Sequence, residues 1–168
     1  MTLSKQKREE NMKEALKLLL ERLEDQAIYM SEVLDDDPAF TGVYRTTWED
    51  MADSHLVTAD PGPNWCRYQL TGHGWLKALK LTGQLDTPEF QERFGRLNAT
   101  LKNFVDGRDH EGSEQVHVVA IKAAISEGWL YNILESRIWE KEQNRIGAKF
   151  DDSKTMVIIP IRFNMPLL

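Results

Sequence analysis

Cysteine is almost missing from this chain. Cys66 is the only one in 168 residues, so no disulfide can form within the chain, and a reducing cytoplasm is the expected compartment. Long apolar runs are missing too. No stretch approaches the roughly 20 uninterrupted apolar residues of a membrane span, and Met1–Lys17 lacks the apolar centre of a secretory signal. There is no nucleophile elbow, no phosphate-binding glycine loop and no dinucleotide fingerprint; Gly72-His73-Gly74 carries none of the rest of such a pattern. The expectation is therefore a protein that is not an enzyme and binds no cofactor.

Positive charge is also short. Lysine and arginine number 21 against 27 acids, a net charge of −6, where a nucleic-acid binder usually carries a basic surplus. Divided at Gly83/Gln84, the first part has 10 bases and 14 acids (net −4) and the second 11 and 13 (net −2). Neither half is a basic module. Hydrophobic residues at 41% and charged ones at 29% are ordinary for a folded protein. This length permits one domain or two small ones.

Periodicity then gives the elements. Residues 4–25 repeat apolar groups at Met12, Leu16, Leu19, Leu20, Leu23 and Ala27, one stripe of a helix that Ser4 can cap. Its other face mixes Lys5, Lys7, Arg8, Lys13 and Lys17 with glutamates, a solvated face or an arm for phosphate or a partner. Gln26–Tyr29 reads as a short strand and Met30–Leu34 as a brief helix. Asp35-Asp36-Asp37-Pro38 breaks it. Three aspartates suggest a divalent cation, but the alternating oxygen ligands and distal glutamate of a Ca²⁺ loop are missing, which leaves a capping turn.

A helix follows over about 41–55, with Tyr44, Trp48 and Met51 facing inward. Arg45, Thr46, Glu49, Asp50 and Asp53 then face out. Leu56–Ala59 and Trp65–Leu70 read as two strands around the stiff turn Asp60-Pro61-Gly62-Pro63-Asn64. In the second strand Cys66, Tyr68 and Leu70 alternate with Arg67 and Gln69. Trp65 either covers the core or stands out to stack. Thr71 caps a helix ending at Gly83.

The run Arg67-Tyr68-Gln69-Leu70-Thr71-Gly72-His73-Gly74-Trp75-Leu76 resembles the R-Y-x-L-T-x-x-G-x-x-x-L segment of winged-helix regulators of the PadR and MarR types. Val43-Tyr44-Arg45 through His55-Leu56-Val57 resembles their recognition helix and entry to the wing. The resemblance covers about residues 8–82 and departs from those families in the acidic outer helix face and in the Asp35–Asp37 insertion. It implies a DNA-binding, dimeric transcriptional regulator. Arg45 and Thr46 would enter the groove and Asn64 and Arg67 would contact from the wing.

In the second half, Thr87-Pro88-Glu89 opens a helix with a seam at Phe90, Phe94, Leu97, Leu101 and Phe104. That seam asks for a partner, either the first helix or a second copy, and favours a homodimer. Ser113 or Glu114 is expected to open another helix through Ala123. Ser126 caps a further one to about Lys141, with Leu130, Ile133, Leu134 and Ile138 inward. Residues 120–134 resemble a generic helix-turn-helix, which would make Tyr131 and Asn132 contacts; two packed core helices is the plainer reading. Ala148–Asp151 and Thr155–Ile161 around Asp152-Ser153-Lys154 read as a hairpin, and Met165–Leu168 is apolar enough to pack on a neighbour.

The expected fold is α+β, mainly α: a winged helix-turn-helix over 1–83, then a helical domain over 84–168 with a second helix-turn-helix-like unit and a C-terminal hairpin. Two functions stand beside each other. One is DNA binding. The other is an acidic tandem winged-helix adaptor that binds a protein partner, as its size and charge resemble such subunits of chromosome-organising complexes. His110, His117 and Glu114 are too dispersed for a zinc site, and Cys66 reads as a small core residue.

Overall fold

The structure is a computed structural model and describes residues 2–164, the side chains of 162 and 164 excepted. The expected packing of Met165–Leu168 lies outside these residues. The chain is α+β and mostly helical, with two small antiparallel sheets. It divides into two compact units, Met1–Gly83 and Gln84–Leu168.

In the first unit, helix α1 spans Lys5–Leu23, and the Ser4 side chain accepts a hydrogen bond from the Lys7 amide. Ala15, Leu16, Leu19, Leu20 and Leu23 are buried. The next segment differs from expectation. Ile28–Met30 is a single 3-10 turn and Val33–Leu34 is a strand, β1, so strand and helix were expected in the wrong order. Tertiary pairing decides this: Val33 pairs with Tyr68 and is fully buried, and Asp35 N–H donates to the Cys66 carbonyl.

The expected 41–55 helix is shorter. A 3-10 turn at Pro38–Phe40, capped by Asp37 on the Ala39 amide, precedes helix α2 at Arg45–Asp53. Tyr44 is the extended residue before α2 and is 61% exposed, not inward as its spacing implied. Phe40 takes the core position instead, with its ring 5.8 Å from Trp48. Strands β2 (Val57–Pro61) and β3 (Cys66–Leu70) form a hairpin, and the sheet order is β1-β3-β2. Tyr68 stacks on Trp48 at 4.2 Å, tying the hairpin to α2. Helix α3 spans Gly72–Leu81.

Thr71 joins these parts. Its amide donates to the Leu56 carbonyl, its hydroxyl donates to the His55 carbonyl at 2.7 Å, and the same oxygen accepts from the Gly74 amide. A Cβ on Gly74 would collide with the Leu56 carbonyl oxygen, so only glycine permits this approach.

The second unit also runs from a long helix through a strand and helices to a hairpin, with one more helix before the hairpin. Helix α4 covers Pro88–Val105, capped by Thr87. Strand β4 (Gly112–Gln115) stands where a helix start was expected, because those four residues pair with Ile159–Met156. Helix α5 (Val116–Ala123) and helix α6 (Glu127–Ser136) follow, the latter capped by Ser126 on the Trp129 amide. The expected continuous helix to Lys141 breaks at Arg137, in the left-handed region at φ 54°, and resumes as α7 (Ile138–Gln143). Strands β5 (Lys149–Phe150) and β6 (Met156–Ile159) form the hairpin, and the sheet order is β4-β6-β5. The Asp151 carboxylate holds the hairpin turn by accepting from Ser153 Oγ and from the Thr155 and Met156 amides. These bonds hold its pKa below the usual value.

The α4 seam is buried inside its own unit. Phe90 meets Trp129, and Phe94 meets the fully buried Trp139, at 5.7 Å each. Neither the first helix nor a second copy is required to cover it, so the seam by itself does not call for a dimer. Phe104 at the end of the seam is half-buried under Lys122.

Two helix ends share a left-handed closure. His55 (φ 58°) ends α2 with Leu56 N–H on the Met51 carbonyl; Ala124 (φ 53°) ends α5 with Ile125 N–H on the Ala120 carbonyl. Both are Schellman-type ends, where glycine is the usual residue. Replacing Ala124 by glycine is expected to raise unfolding free energy by about 1 kcal/mol, from the left-handed penalty of a Cβ. Gly74→Ala is expected to cost about 3 kcal/mol through overpacking against backbone. Urea unfolding of the two variants measures both.

Candidate interaction surfaces

The outward face of α2 is built by its register. Trp48 and Met51 are buried, so Arg45, Thr46, Glu49 and Asp53 project to solvent. Arg45 is almost fully exposed and is engaged by Glu49, one turn on, at 3.1 Å. Asp50 turns toward α1 and takes a bidentate ion pair from Arg8. That pair holds the Asp50 carboxyl below its ordinary pKa, through the hydrogen bond first, and raises Arg8. The face therefore has one cation, paired with Glu49, and one further carboxylate, Asp53.

The first hairpin is stiffened at its tip. Gly62 N–H donates to the Trp65 carbonyl at 2.7 Å, and the Trp65 ring lies so close to Gly62 that no Cβ would fit there. Trp65 thus covers the turn rather than the core, half-buried. Arg67 lies over it, 4.8 Å from the ring centroid, and its guanidinium is 3.4 Å from Glu32. Asn64 is exposed at the tip. Register places Leu34 and Asp60 on either side of Arg67. Glu32, Leu34, Asp36, Trp65 and Arg67 line an open cleft of about 580 Å³. Sequence reasoning missed this cleft because β1 was expected to be helical; the only signal was the Val33-in, Leu34-out alternation.

In the second unit α6 buries Trp129, Leu130, Asn132, Ile133, Leu134 and Ser136. Asn132 is 1% exposed, so it is a core residue and not the surface contact expected of it. Tyr131 is half-buried, with its ring 5.0 Å from Phe150. Lys154 from the hairpin turn donates to the Tyr131 hydroxyl at 3.1 Å and pairs with Glu135 at 3.2 Å, and those bonds raise its pKa. The outward face of α6 is then Glu127, Tyr131 and Glu135, tied to the hairpin by Lys154 and by the Tyr131–Phe150 contact.

The remaining chemistry is sparse. Among the described residues no group of three or more His, Cys, Asp or Glu is placed to hold a metal ion. The Asp35–Asp37 segment is a turn in which Asp37 caps the 3-10 turn and pairs with Arg22 at 3.1 Å. His110 meets Asp109, and Cys66 is half-buried on β3. Burial, followed by the neighbouring Cys66, pushes the Tyr68 hydroxyl well above its ordinary pKa. Among the described residues no helix is long and apolar enough to cross a membrane. No protein-family model, curated protein or solved structure matches this chain.

The Arg8–Asp50 pair links α1 to α2 and carries a pH signature. Asp50 has a folded pKa below its unfolded value, so its contribution is present above the unfolded carboxylate pKa and is lost as pH falls through the folded one. Arg8→Ala is expected to lower Tm by a few degrees at neutral pH. The difference should shrink as pH falls below about 4 and Asp50 protonates in both proteins. Thermal melts across that range check it.

Proposed function

We propose that this chain is a tandem winged-helix protein that acts as an adaptor, docking a protein partner on its acidic helix faces. Two features support the winged-helix reading. Each unit contains, in order, a helix, a strand, a helical turn or helix, a helix and two strands, with α7 added before the hairpin of the second, and each sheet has the third strand between the first and second. In the first unit the helix before α2 is reduced to the 3-10 turn Pro38–Phe40.

The observation that carries the adaptor reading is the charge of the helix faces that would meet a ligand. On α2 Arg45 is paired with Glu49 and Asp53 follows a turn later, and on α6 Glu127 and Glu135 flank Tyr131 with only Lys154 against them, so each face keeps an excess of one carboxylate. A phosphate backbone would be repelled by these faces, since affinity for it rises with the number of phosphates neutralised by lysine and arginine. A protein surface of opposite charge would be steered toward them.

DNA binding is the second reading. It is favoured by the position of Arg45 in the first turn of α2, highly exposed, where such a helix meets a base edge. Thr46 beside it and Asn64 at the tip of the hairpin are also exposed. On this reading Arg67 would leave Glu32, and a homodimer would align two copies on a palindromic site.

The two readings part in one experiment. Binding to a random duplex is measured by fluorescence anisotropy at about 50 mM salt, where non-specific electrostatic affinity is visible. The adaptor reading expects no binding there, and loss of a co-purifying protein partner with Glu49→Lys and Asp53→Lys. Duplex binding that falls steeply with salt and disappears in the Arg45→Ala, Arg67→Ala double variant would overturn it in favour of DNA.

A further inference from the structure

The cleft beside the first hairpin has a specific chemistry. Its walls are an indole, an exposed leucine and two carboxylates, and the one cation in it is Arg67. That guanidinium shows what the cleft accepts. It sits over the Trp65 ring at 4.8 Å and at 3.4 Å from the Glu32 carboxylate, the two halves of a cation seat. Both partners of the ion pair are about half exposed, at 44% and 50%. Exposed pairs of this kind contribute little, with a median near zero to about 1 kcal/mol. A competing cation can therefore displace Arg67 at small cost.

The surroundings carry surplus negative charge. Asp36 lines the cleft and Asp60 pairs in register with Arg67. Glu32 and Asp36 in the cleft, with Asp60 opposite Arg67 in the ladder, thus set three carboxylates around a single guanidinium. The apolar share is also present: Leu34 is 41% exposed, and Tyr29 and Met30, just before β1, are more exposed still. Charge together with apolar surface selects a peptide over a simple cation, because an isolated ammonium would leave Leu34 uncovered.

We infer that the cleft formed by Glu32, Leu34, Asp36, Trp65 and Arg67 is a docking site for a basic, partly apolar segment of a protein partner, with Arg67 as an internal placeholder for the incoming arginine or lysine. This rests on the adaptor reading and names the chemistry of the partner. It assigns Arg67 a role opposite to the one DNA binding would give it: the side chain occupies the seat rather than reaching for phosphate.

The full chain is titrated into a fluorescein-labelled peptide of alternating leucine and arginine at about 50 mM salt, with a leucine–glutamate peptide and a labelled duplex as the other probes. Wild type should bind the arginine peptide and not the glutamate peptide. Glu32→Lys and Asp36→Lys should each weaken it by about tenfold, the equivalent of 1.4 kcal/mol. Glu111→Lys, which changes net charge equally in the second unit, should leave it unchanged. Arg67→Ala should strengthen binding by vacating the seat. Circular dichroism establishes that each variant is folded.

Several results overturn the inference: no binding by wild type, equal weakening by Glu111→Lys, or weakening by Arg67→Ala. Binding of the duplex with loss in Arg67→Ala would place that residue on nucleic acid instead. A cleft that fails while the Glu49→Lys, Asp53→Lys variant still loses its partner leaves the adaptor reading intact, so the two failures are distinguishable.

Discussion

The carbonyl oxygen of Leu56 governs how the first unit closes. It accepts the Thr71 amide at 3.0 Å and lies against the bare Cα of Gly74. One backbone group thus fixes where the hairpin begins, where it ends and how the next helix leaves it. The Thr71 hydroxyl completes the junction by donating to His55 and accepting from Gly74. Buried backbone polar groups must find partners, and here the partners are supplied by a capping residue and a glycine three positions apart. The Trp48–Tyr68 stack and the pairing of Val33 with Tyr68 then hang the rest of the sheet on that junction.

The second unit reaches the same strand order by other means. Its aromatic core of Phe90, Phe94, Trp129 and Trp139 packs four rings between α4, α6 and α7. The hairpin turn is fastened by Asp151, not by prolines. Similar topology from dissimilar local devices is what packing constraints allow: helix and sheet must bury one face each, and few arrangements of short elements do so. The surfaces left over are acidic in both units, which gives the two helix faces a common electrostatic character.

Much of this was legible along the chain. Ser4, Thr71, Thr87 and Ser126 all cap helices as their residue types imply, and the unit boundary falls at Gly83/Gln84 where the charge was divided. Trp48, Met51, Leu130, Ile133, Leu134 and Ile138 are buried as their spacing implies. The two missed strands have one cause. Gly112–Gln115 and Val33–Leu34 are too short to show a period, and each becomes a strand only because a distant partner offers its edge. The error at β1 hid the cleft, since Leu34 and Arg67 are neighbours only across the ladder. Tyr44 and Asn132 failed differently. A residue at a helix boundary or on the crowded side of a short helix cannot be assigned a face from spacing alone.

By itself, then, the sequence determined the local terms: caps, turn residues, the core stripes of α1, α4 and α6, the absence of disulfides and the acidic balance. These depend on neighbours within about one helical turn, and such interactions are written in adjacent residues. Tertiary structure alone decided which short segments became strands, that the α4 seam is covered within its own unit, that Asn132 is inside, and that Trp65, Arg67, Glu32 and Leu34 share a cleft. Those outcomes depend on hydrogen bonds and contacts between residues thirty or more positions apart, where the reward for pairing comes only after the chain has closed the loop between them.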